Sequence, residues 1–507
     1  MLARAAPAGE PGLTDAPPPG RHTSRPLTLP GDVMRDAGRH VIDMICAHLD
    51  EGAAEPVTAR LPPQTAKELR DQPVPLSPAD PLQVLGELGP LLRSGNTHPD
   101  HPRFLAFVPS PGNYMGVLAA ALAAGFAVPT GWSFSGPVST AIEKTTIAWL
   151  VELLGLPPET GGLFVSGGST ATLHALTVAR DTTAGSQYDR ATAYCSDQTH
   201  FSVGRALHVL GISRDRVRHL PTGMDGRLDV RQVEERVRAD RRAGLTPFAV
   251  IANAGTTGTG AVDPLADLSA LCSRHRLWFH VDGAFGAAAA ITEEGRRAVP
   301  GLPLADSLSI DPHKWLFQPA EIGCVLLRRP ELLRQSFGVP HPSYLSGADG
   351  TDEDLMQYGI QQTREFRALK LWLSLKVFGA RAFRDAVAAG MQLAEDVGKH
   401  IASRDDLELV TAPSLGVLTF RPIARALVPR DRLDRITDRV VGAIAERLAE
   451  SGDALVMPAL VADRRVLRLC TINPRADVRE LEAVVDGVAA LADELITDLL
   501  TEPRRTP

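Results

Sequence analysis

Apolar residues in the first hundred positions recur at helical spacing. The apolar set begins one residue after Asp32, which can cap a first turn, and it comprises Val33, Met34, Ala37, Val41, Ile42, Ile45 and Leu49. The spacing predicts an amphipathic helix over 32–49, and a proline-rich stretch over 61–81 leads into a second short helical pattern. These helices offer too little core to stand alone, so we expect them to pack on something else.

The pattern changes at about Gly161 to short β-rich runs that alternate with helical segments. The runs are Gly162–Ser166, Thr192–Ser196, Phe248–Asn253, Trp278–Asp282, Ser307–Ile310 and Gly323–Leu327. Strands separated by helices indicate parallel β-α-β units and therefore a doubly wound α/β fold. Ligands in such folds bind at the carboxyl ends of the strands.

Beyond Phe383 the chain is mostly amphipathic helix, with helical patterns over 383–402, 430–451 and 478–500. Two strand-like runs, Leu407–Phe420 and Val466–Ile472, interrupt them, which indicates a smaller α/β domain. The sequence therefore predicts a disordered leader over 1–30, a helical arm over 31–107, a large domain over 108–382 and a small domain over 383–507.

Composition and charge remove several classes of function. The 507 residues carry a formal net charge of −7 without a lysine- or arginine-rich block, which disfavours a nucleic-acid partner. The longest nearly uncharged apolar stretch, Met115–Val128, is too short to cross a bilayer, so we expect no membrane span. Five cysteines without a C-x-x-C pair fit a reducing compartment, and we expect a cytoplasmic protein. No metal site is predicted.

One lysine, Lys314, lies at a strand end, where ligands bind in an α/β fold. Lys314 directly follows the strand-like run Ser307–Ile310, in a chain with six lysines against 47 arginines. A lysine in an apolar pocket can attack an aldehyde as a nucleophile, which an arginine cannot. An arbitrary lysine in a loop is usually a surface residue, so the interpretation depends on its neighbours.

Two further strand ends supply matching groups. Asp282 ends one strand and is followed by the small residues Gly283 and Ala284, which leave room for a flat ring. A carboxylate there can hold a pyridinium nitrogen protonated, although an aspartate at this position can also simply cap the next helix. The run Phe164–Thr172 places two glycines and the hydroxyls of Ser169 and Thr170 at a helix start, which suits a phosphate.

His200 and the run Asn253–Thr257 end two more strands with an imidazole and hydroxyl groups. A single histidine at a strand end is usually structural. Together with Lys314, Asp282 and the glycine pair, however, these groups match a phosphate cradle, a ring face, a pyridine partner and a Schiff-base lysine. The combination predicts a pyridoxal 5′-phosphate (PLP) site.

The order and spacing of these motifs resemble the group II amino-acid decarboxylases of PLP fold type I, with Asp-Pro-His-Lys-Trp at 311–315 as the most specific match. The resemblance implies that Lys314 forms the internal aldimine, that Asp282 pairs with the pyridine nitrogen and that His200 stacks on the ring. It also implies cofactor contacts for Gly168, Ser169, Thr170, Thr257, Ala284, Asp311 and His313. A well-known member of the family has asparagine at the position of Asp311, so the role of this second negative charge is open.

The same resemblance extends to the substrate and to the assembly. It places Tyr344 on a loop whose tyrosine protonates the substrate carbanion, and it implies a homodimer with shared active sites. It also assigns a substrate pocket to Phe104, Phe107, Val108, Trp132 and Phe134. Apolar walls favour an aromatic or large hydrophobic L-amino acid over an acidic one, for which Arg103 is the candidate carboxylate partner.

Three other functions compete with simple decarboxylation to the amine and CO2. An aminotransferase or a C–C lyase uses the same cofactor groups, but the decarboxylase-like arm and the Tyr344 loop disfavour both. Decarboxylating aldehyde synthases related to the family often carry phenylalanine at the loop tyrosine, so Tyr344 favours the simple reaction. An inactive PLP-binding protein would have no need for every one of these chemical groups.

Overall fold

The structure, a computed structural model, describes residues 27–109, 111–340, 354–424 and 430–501. The chain divides into two compact units. The first comprises the described part of Met1–Glu51 together with Leu61–Gly95, and the second comprises Gly52–Arg60 and the chain from Asn96 onward. Residues 96–107, which the sequence assigned to the arm, therefore belong with the larger unit.

The first unit consists of three helices, α1 (Gly31–Glu51), α2 (Pro63–Arg70) and α3 (Pro81–Ser94). Helix α1 covers the predicted amphipathic segment. Asp80 caps α3, because its carboxylate accepts hydrogen bonds from the backbone N–H groups of Leu82 (2.9 Å) and Gln83 (3.0 Å). None of the residues in these three helices is buried.

The helices of the second unit are α4 (Tyr114–Gly125), α5 (Pro137–Leu154), α6 (Gly168–Ala179), α7 (Phe201–Val209), α8 (Val230–Arg242), α9 (Leu265–His275), α10 (Glu293–Ala298), α11 (Glu331–Phe337), α12 (Ala368–Ser403), α13 (Arg430–Ser451) and α14 (Val478–Thr501). Its strands are β1 (Gly161–Val165), β2 (Ala191–Ser196), β3 (Val217–Leu220), β4 (Thr246–Asn253), β5 (Trp278–Asp282), β6 (Ser307–Ile310), β7 (Gly323–Leu327), β8 (Leu407–Ser414), β9 (Val417–Pro422), β10 (Met457–Val461) and β11 (Arg464–Cys470). Among the described residues, no helix is both long and apolar enough to span a membrane.

The large sheet has seven strands in the order β1-β7-β6-β5-β4-β2-β3. Strand β7 runs antiparallel to both of its neighbours, β1 and β6, whereas the other pairs are parallel. The expected α/β fold with a mostly parallel sheet is confirmed. The six predicted strands all form, and β3 is a seventh that the sequence pattern did not reveal.

The strands β2, β5, β6 and β7 are buried along their whole length, because helices cover both faces of the sheet. This arrangement explains why β7 is continuously apolar and why even the two serines of β6, Ser307 and Ser309, are buried. It also brings the carboxyl ends of the parallel strands to one edge of the sheet, where the site lies.

The small sheet has four antiparallel strands in the order β10-β11-β9-β8. The predicted run over 407–420 is in fact a hairpin, β8 and β9, because Leu415 (φ 49°) and Gly416 (φ 75°) turn the chain between them. Strand β11 accounts for the second predicted run, and β10 was not predicted. The predicted boundary at 382/383 falls inside α12, shortly after Gly379, whose φ of 75° and ψ of 153° kink the helix.

Candidate active site

A cleft of about 400 Å³ opens at the carboxyl edge of the large sheet. It is called the central cleft below. The turns after β1, β2, β4, β5 and β6 all contribute to it. Every cofactor residue predicted from the sequence lines this cleft, namely Gly168, Ser169, Thr170, His200, Thr257, Asp282, Ala284, Asp311, His313 and Lys314.

Lys314 and Asp311 lie on one turn that follows β6. The backbone N–H of Lys314 donates to the Asp311 carbonyl (2.9 Å), and its Nζ lies 3.0 Å from Asp311 Oδ2. The lysine side chain is 23% exposed and the aspartate side chain 4% exposed. The amine is therefore reachable from the cleft, whereas the carboxylate beside it is enclosed.

Asp282 is the last residue of β5, and its side chain is nearly buried. Its Oδ1 accepts hydrogen bonds from the backbone N–H of Ala284 (3.1 Å) and from the Ser309 hydroxyl (3.2 Å). These two hydrogen bonds fix the orientation of the carboxylate. Asp282 is thus a rigidly held carboxylate in the wall of the cleft.

His200 caps the start of α7. Its Nδ1 accepts a hydrogen bond from the Ser202 backbone N–H (3.3 Å), so the neutral ring carries its proton on Nε2. Burial lowers the pKa of His200 below its ordinary value, while the nearby Asp282 opposes this shift. The imidazole is consequently favoured in its neutral form.

The glycines that follow β1 hold the start of α6 open. A Cβ added to Gly168 would lie 2.8 Å from Asp311 Oδ2 and 3.3 Å from the Ala284 methyl carbon. Any side chain here would fill the cleft. Because the first N–H groups of α6 have no helical acceptor, this end of the helix suits a phosphate.

His313 completes this side of the cleft. Its Nδ1 donates to the Ile322 carbonyl (2.7 Å), and its Nε2 faces Asp311 Oδ2 at 3.8 Å. The reachable amine of Lys314, the fixed carboxylate of Asp282, the imidazole of His200 and the glycine-lined start of α6 are groups that can hold PLP. The residues present therefore fit this cofactor.

Comparison with known proteins decides the family. The model of the pyridoxal-dependent decarboxylase conserved domain matches residues 63–423. The chain belongs to the pyridoxal-dependent decarboxylases. It is a PLP-dependent carboxy-lyase that acts on amino acids, as the Asp-Pro-His-Lys-Trp motif indicated.

Several members of the decarboxylase family resemble the chain over most of its length. It is 41% identical over 476 residues to an aromatic-L-amino-acid decarboxylase of Bacillus atrophaeus, which covers 93% of this chain and 98% of the relative. A phenylacetaldehyde synthase of Petunia hybrida is 27% identical, over 90% of this chain and 93% of its own. The crystal structure of Oryza sativa TDC with PLP and tryptamine has a TM-score of 0.86 and 27% identity, and it covers 94% of this chain and 100% of that chain.

The predicted substrate residues separate into two groups in the decarboxylase. Phe107 and Val108 line the central cleft. Phe104 is buried behind Phe107, with ring centroids 6.2 Å apart, and packs in a small core with Val57 and Leu455. Phe104 therefore supports the wall without forming it.

Two other predicted wall residues lie away from the central cleft of their own chain. Trp132 lines a separate pocket with Met356 and Arg364, and Phe134 is largely exposed beside it, with ring centroids 5.1 Å apart. Tyr344 lies outside the described residues, so its catalytic role stays a prediction. Arg103 lines a groove beside α13 and α14 and not the central cleft.

Sequence reasoning did not name several residues at the site. Phe285 and Glu321 line the central cleft, and Glu321 forms an ion pair with Arg367 (2.9 Å). Arg468, on β11, donates from Nε to the Thr257 carbonyl (2.6 Å) and from a terminal nitrogen to the Phe107 carbonyl. Because Arg468 is more than 200 residues from Thr257, no local pattern indicated this link between the small sheet and the cleft wall.

Proposed function

We propose that the chain decarboxylates an aromatic L-amino acid to its amine and CO2. The observation that carries this proposal is the composition of the central cleft, where Lys314 and Asp282 meet the apolar side chains of Phe107, Val108 and Phe285. PLP, when bound, supplies an electron sink for the pair released as CO2 leaves. The protein residues supply anchoring, orientation and protons.

Each polar group has a distinct proposed task. The Lys314 amine anchors the cofactor covalently, and the N–H groups at the start of α6 bind its phosphate. Asp282 holds a proton on the pyridine nitrogen, because its orientation is fixed before the reaction begins. His200 packs on the ring, and Tyr344 delivers the proton to Cα.

The walls of the cleft support an aromatic substrate. Burying apolar ligand surface contributes about 25 cal/mol per Å², which favours a large ring over a short side chain. No arginine is found among the described residues that line the cleft, and Arg103 lies in another groove. A second substrate carboxylate would therefore lack an arginine partner among these described residues. The name of the Bacillus atrophaeus relative agrees with an aromatic substrate.

We also propose that the enzyme is a cytoplasmic homodimer with shared active sites. Phe126, Phe134 and Val138 are exposed apolar residues on one stretch of the chain, and a second copy would cover them. Trp132 and Phe134 could then form a wall of the partner's cleft, since neither lines the cleft of its own chain. All five cysteines are free, which supports a reducing compartment.

A product assay tests the reaction and the substrate together. Purified enzyme with PLP is given phenylalanine, tyrosine, tryptophan, leucine, valine or glutamate, and CO2 and amine are measured for each. We expect equal amounts of CO2 and amine and the highest kcat/KM for an aromatic substrate. A preference of more than about tenfold for glutamate or aspartate would overturn the proposed pocket.

A decarboxylating aldehyde synthase is the second candidate, because the Petunia hybrida relative is named as one. The same assay separates the two reactions. An aldehyde synthase consumes oxygen and releases aldehyde, ammonia and hydrogen peroxide in place of the amine. Tyr344 supports the simple decarboxylase, and the Tyr344→Phe variant should shift the products toward the aldehyde.

A further inference from the structure

Asp311 places a buried negative charge beside the phosphate end of the central cleft. Its side chain is 4% exposed, and its Oδ1 is buried without a hydrogen-bond partner among the described residues. Cβ atoms added to Gly168 and Gly323 would lie 2.8 Å and 2.9 Å from its two carboxylate oxygens. The carboxylate therefore projects between the start of α6 and the start of β7.

Two basic side chains lie beside the Asp311 carboxylate. Lys314 Nζ lies 3.0 Å from Oδ2, and His313 Nε2 lies 3.8 Å from the same oxygen. Asp282 adds a second carboxylate to the wall, and the neutral form of His200 offers no full positive charge. Lys314, a close cation here, is also the residue that must bind the cofactor aldehyde.

A bound phosphate and the Asp311 carboxylate would place two negative charges at the same end of the central cleft. The first turn of α6 attracts an anion, while Asp311 faces the same glycine pair and repels it. We propose that Asp311 weakens the binding of a dianionic phosphate and so makes cofactor loading reversible. This inference rests on PLP as the cofactor and does not depend on which amino acid is the substrate.

A comparison of two cofactors in two proteins tests it. Apo wild type and the Asp311→Asn variant, which keeps the shape of the side chain, are titrated with PLP and with 5′-deoxypyridoxal, and Kd is read from visible absorption. The second compound keeps the aldehyde and the ring but lacks the phosphate. An effect of Asp311 that acts only through Lys314 changes the Kd of both compounds by the same factor. The ratio of the two changes in Kd therefore measures the effect of Asp311 on binding of the phosphate.

Asp306→Asn is the matched control, because Asp306 precedes β6 and Asp311 follows it. This change removes a partly buried carboxylate from the opposite end of the same strand, where it accepts a hydrogen bond from the Phe279 N–H (2.9 Å). We expect it to leave both Kd values within about twofold of wild type, because Asp306 lies at the opposite end of the strand and the Coulomb interaction falls with distance.

For Asp311→Asn we expect PLP to bind at least about tenfold more tightly, with the Kd of 5′-deoxypyridoxal changed by less than about threefold. PLP should also be lost more slowly on dialysis. Equal changes for both compounds, or weaker PLP binding by the variant, would overturn the proposal. A failure to decarboxylate aromatic substrates would leave these Kd values interpretable, so the two tests fail independently.

Discussion

The amine of Lys314 is reachable from the central cleft, and no other lysine lines that cleft among the described residues. Lys314→Ala should therefore bind PLP without a covalent link. Borohydride reduction followed by peptide mass spectrometry measures this directly. Wild type should carry the reduced cofactor on Lys314, and the variant should carry none. Lys399→Ala, which changes an exposed lysine, is the control, and a cofactor adduct on a different lysine in wild type would disprove the assignment.

Asp282 is proposed to act on the cofactor ring through its fixed carboxylate. Asp282→Asn should keep PLP bound but lower kcat by about 100-fold or more, because a loss of roughly 3 kcal/mol of electrostatic stabilisation corresponds to that factor. The measurements are kcat with an aromatic substrate and Kd for PLP. Exposed Asp267 on α9 provides the control variant, Asp267→Asn. Near-normal turnover by Asp282→Asn would contradict the proposed role.

His280 on β5 makes the stability of the fold depend on pH. Complete burial lowers its pKa from the ordinary 6.5 to about 4. Between these two pH values the histidine is protonated in the unfolded chain and neutral in the folded chain. The stabilisation is present above about pH 6.5 and is lost as the pH falls toward 4. Between about pH 7.5 and pH 5 this loss should amount to about 2 kcal/mol.

Urea unfolding at several pH values measures that loss. His280→Gln should remove about 2 kcal/mol from the difference in unfolding free energy between the two pH values, whatever its effect on stability at pH 7.5. Exposed His208 on α7 provides the control substitution, His208→Gln. An unchanged pH dependence in His280→Gln would exclude this histidine as the cause.

At the scale of elements, a buried ion pair joins parts of the chain that are far apart in sequence. Arg364 contacts Glu143 of α5 at 2.6 Å and 3.1 Å and donates to the carbonyls of Phe164 in β1 and Thr130. Both side chains are almost completely enclosed. The pair holds α5, the edge of the sheet and the segment before Trp132 together.

Glu143→Gln should lower the free energy of unfolding by about 3–5 kcal/mol, because it leaves the Arg364 charge buried without a counterion. The control is Glu293→Gln, which breaks the exposed pair between Glu293 and Arg297 and should cost less than about 1 kcal/mol. Chemical denaturation compares the two variants. Similar small losses in both would show that Arg364 is stabilised by its carbonyl acceptors alone.

At the scale of the whole molecule, the proposed homodimer with shared active sites predicts complementation between inactive subunits. A mixed dimer of Lys314→Ala and Tyr344→Phe contains one cleft with both native residues if the loop of one subunit serves the cleft of the other. Amine formation should then recover to at most about half of the wild-type rate per dimer. The measurement uses heterodimers purified with two different affinity tags. No recovery in verified heterodimers would show that each loop serves its own cleft.

The sequence by itself determined those features that local spacing encodes. The helical repeat of α1, the β-rich runs of β5, β6 and β7, and the residues at the strand ends are all readable over a few positions, because period and turn residues act locally. Parallel strands bring their carboxyl ends to one edge of a sheet, so the residue types at those ends are enough to predict the cofactor groups of the central cleft.

Only the tertiary structure decided which distant residues meet. Strand β7 lies antiparallel between β1 and β6, although β1 is well over a hundred residues earlier in the chain. Glu143 pairs with Arg364, and Arg468 donates a hydrogen bond to the Thr257 carbonyl, across separations that are also well over a hundred residues. The separate locations of Arg103 and Trp132 follow from the same packing. Such contacts depend on how whole elements pack, and the spacing of residues along one segment carries no record of the segment against which it packs.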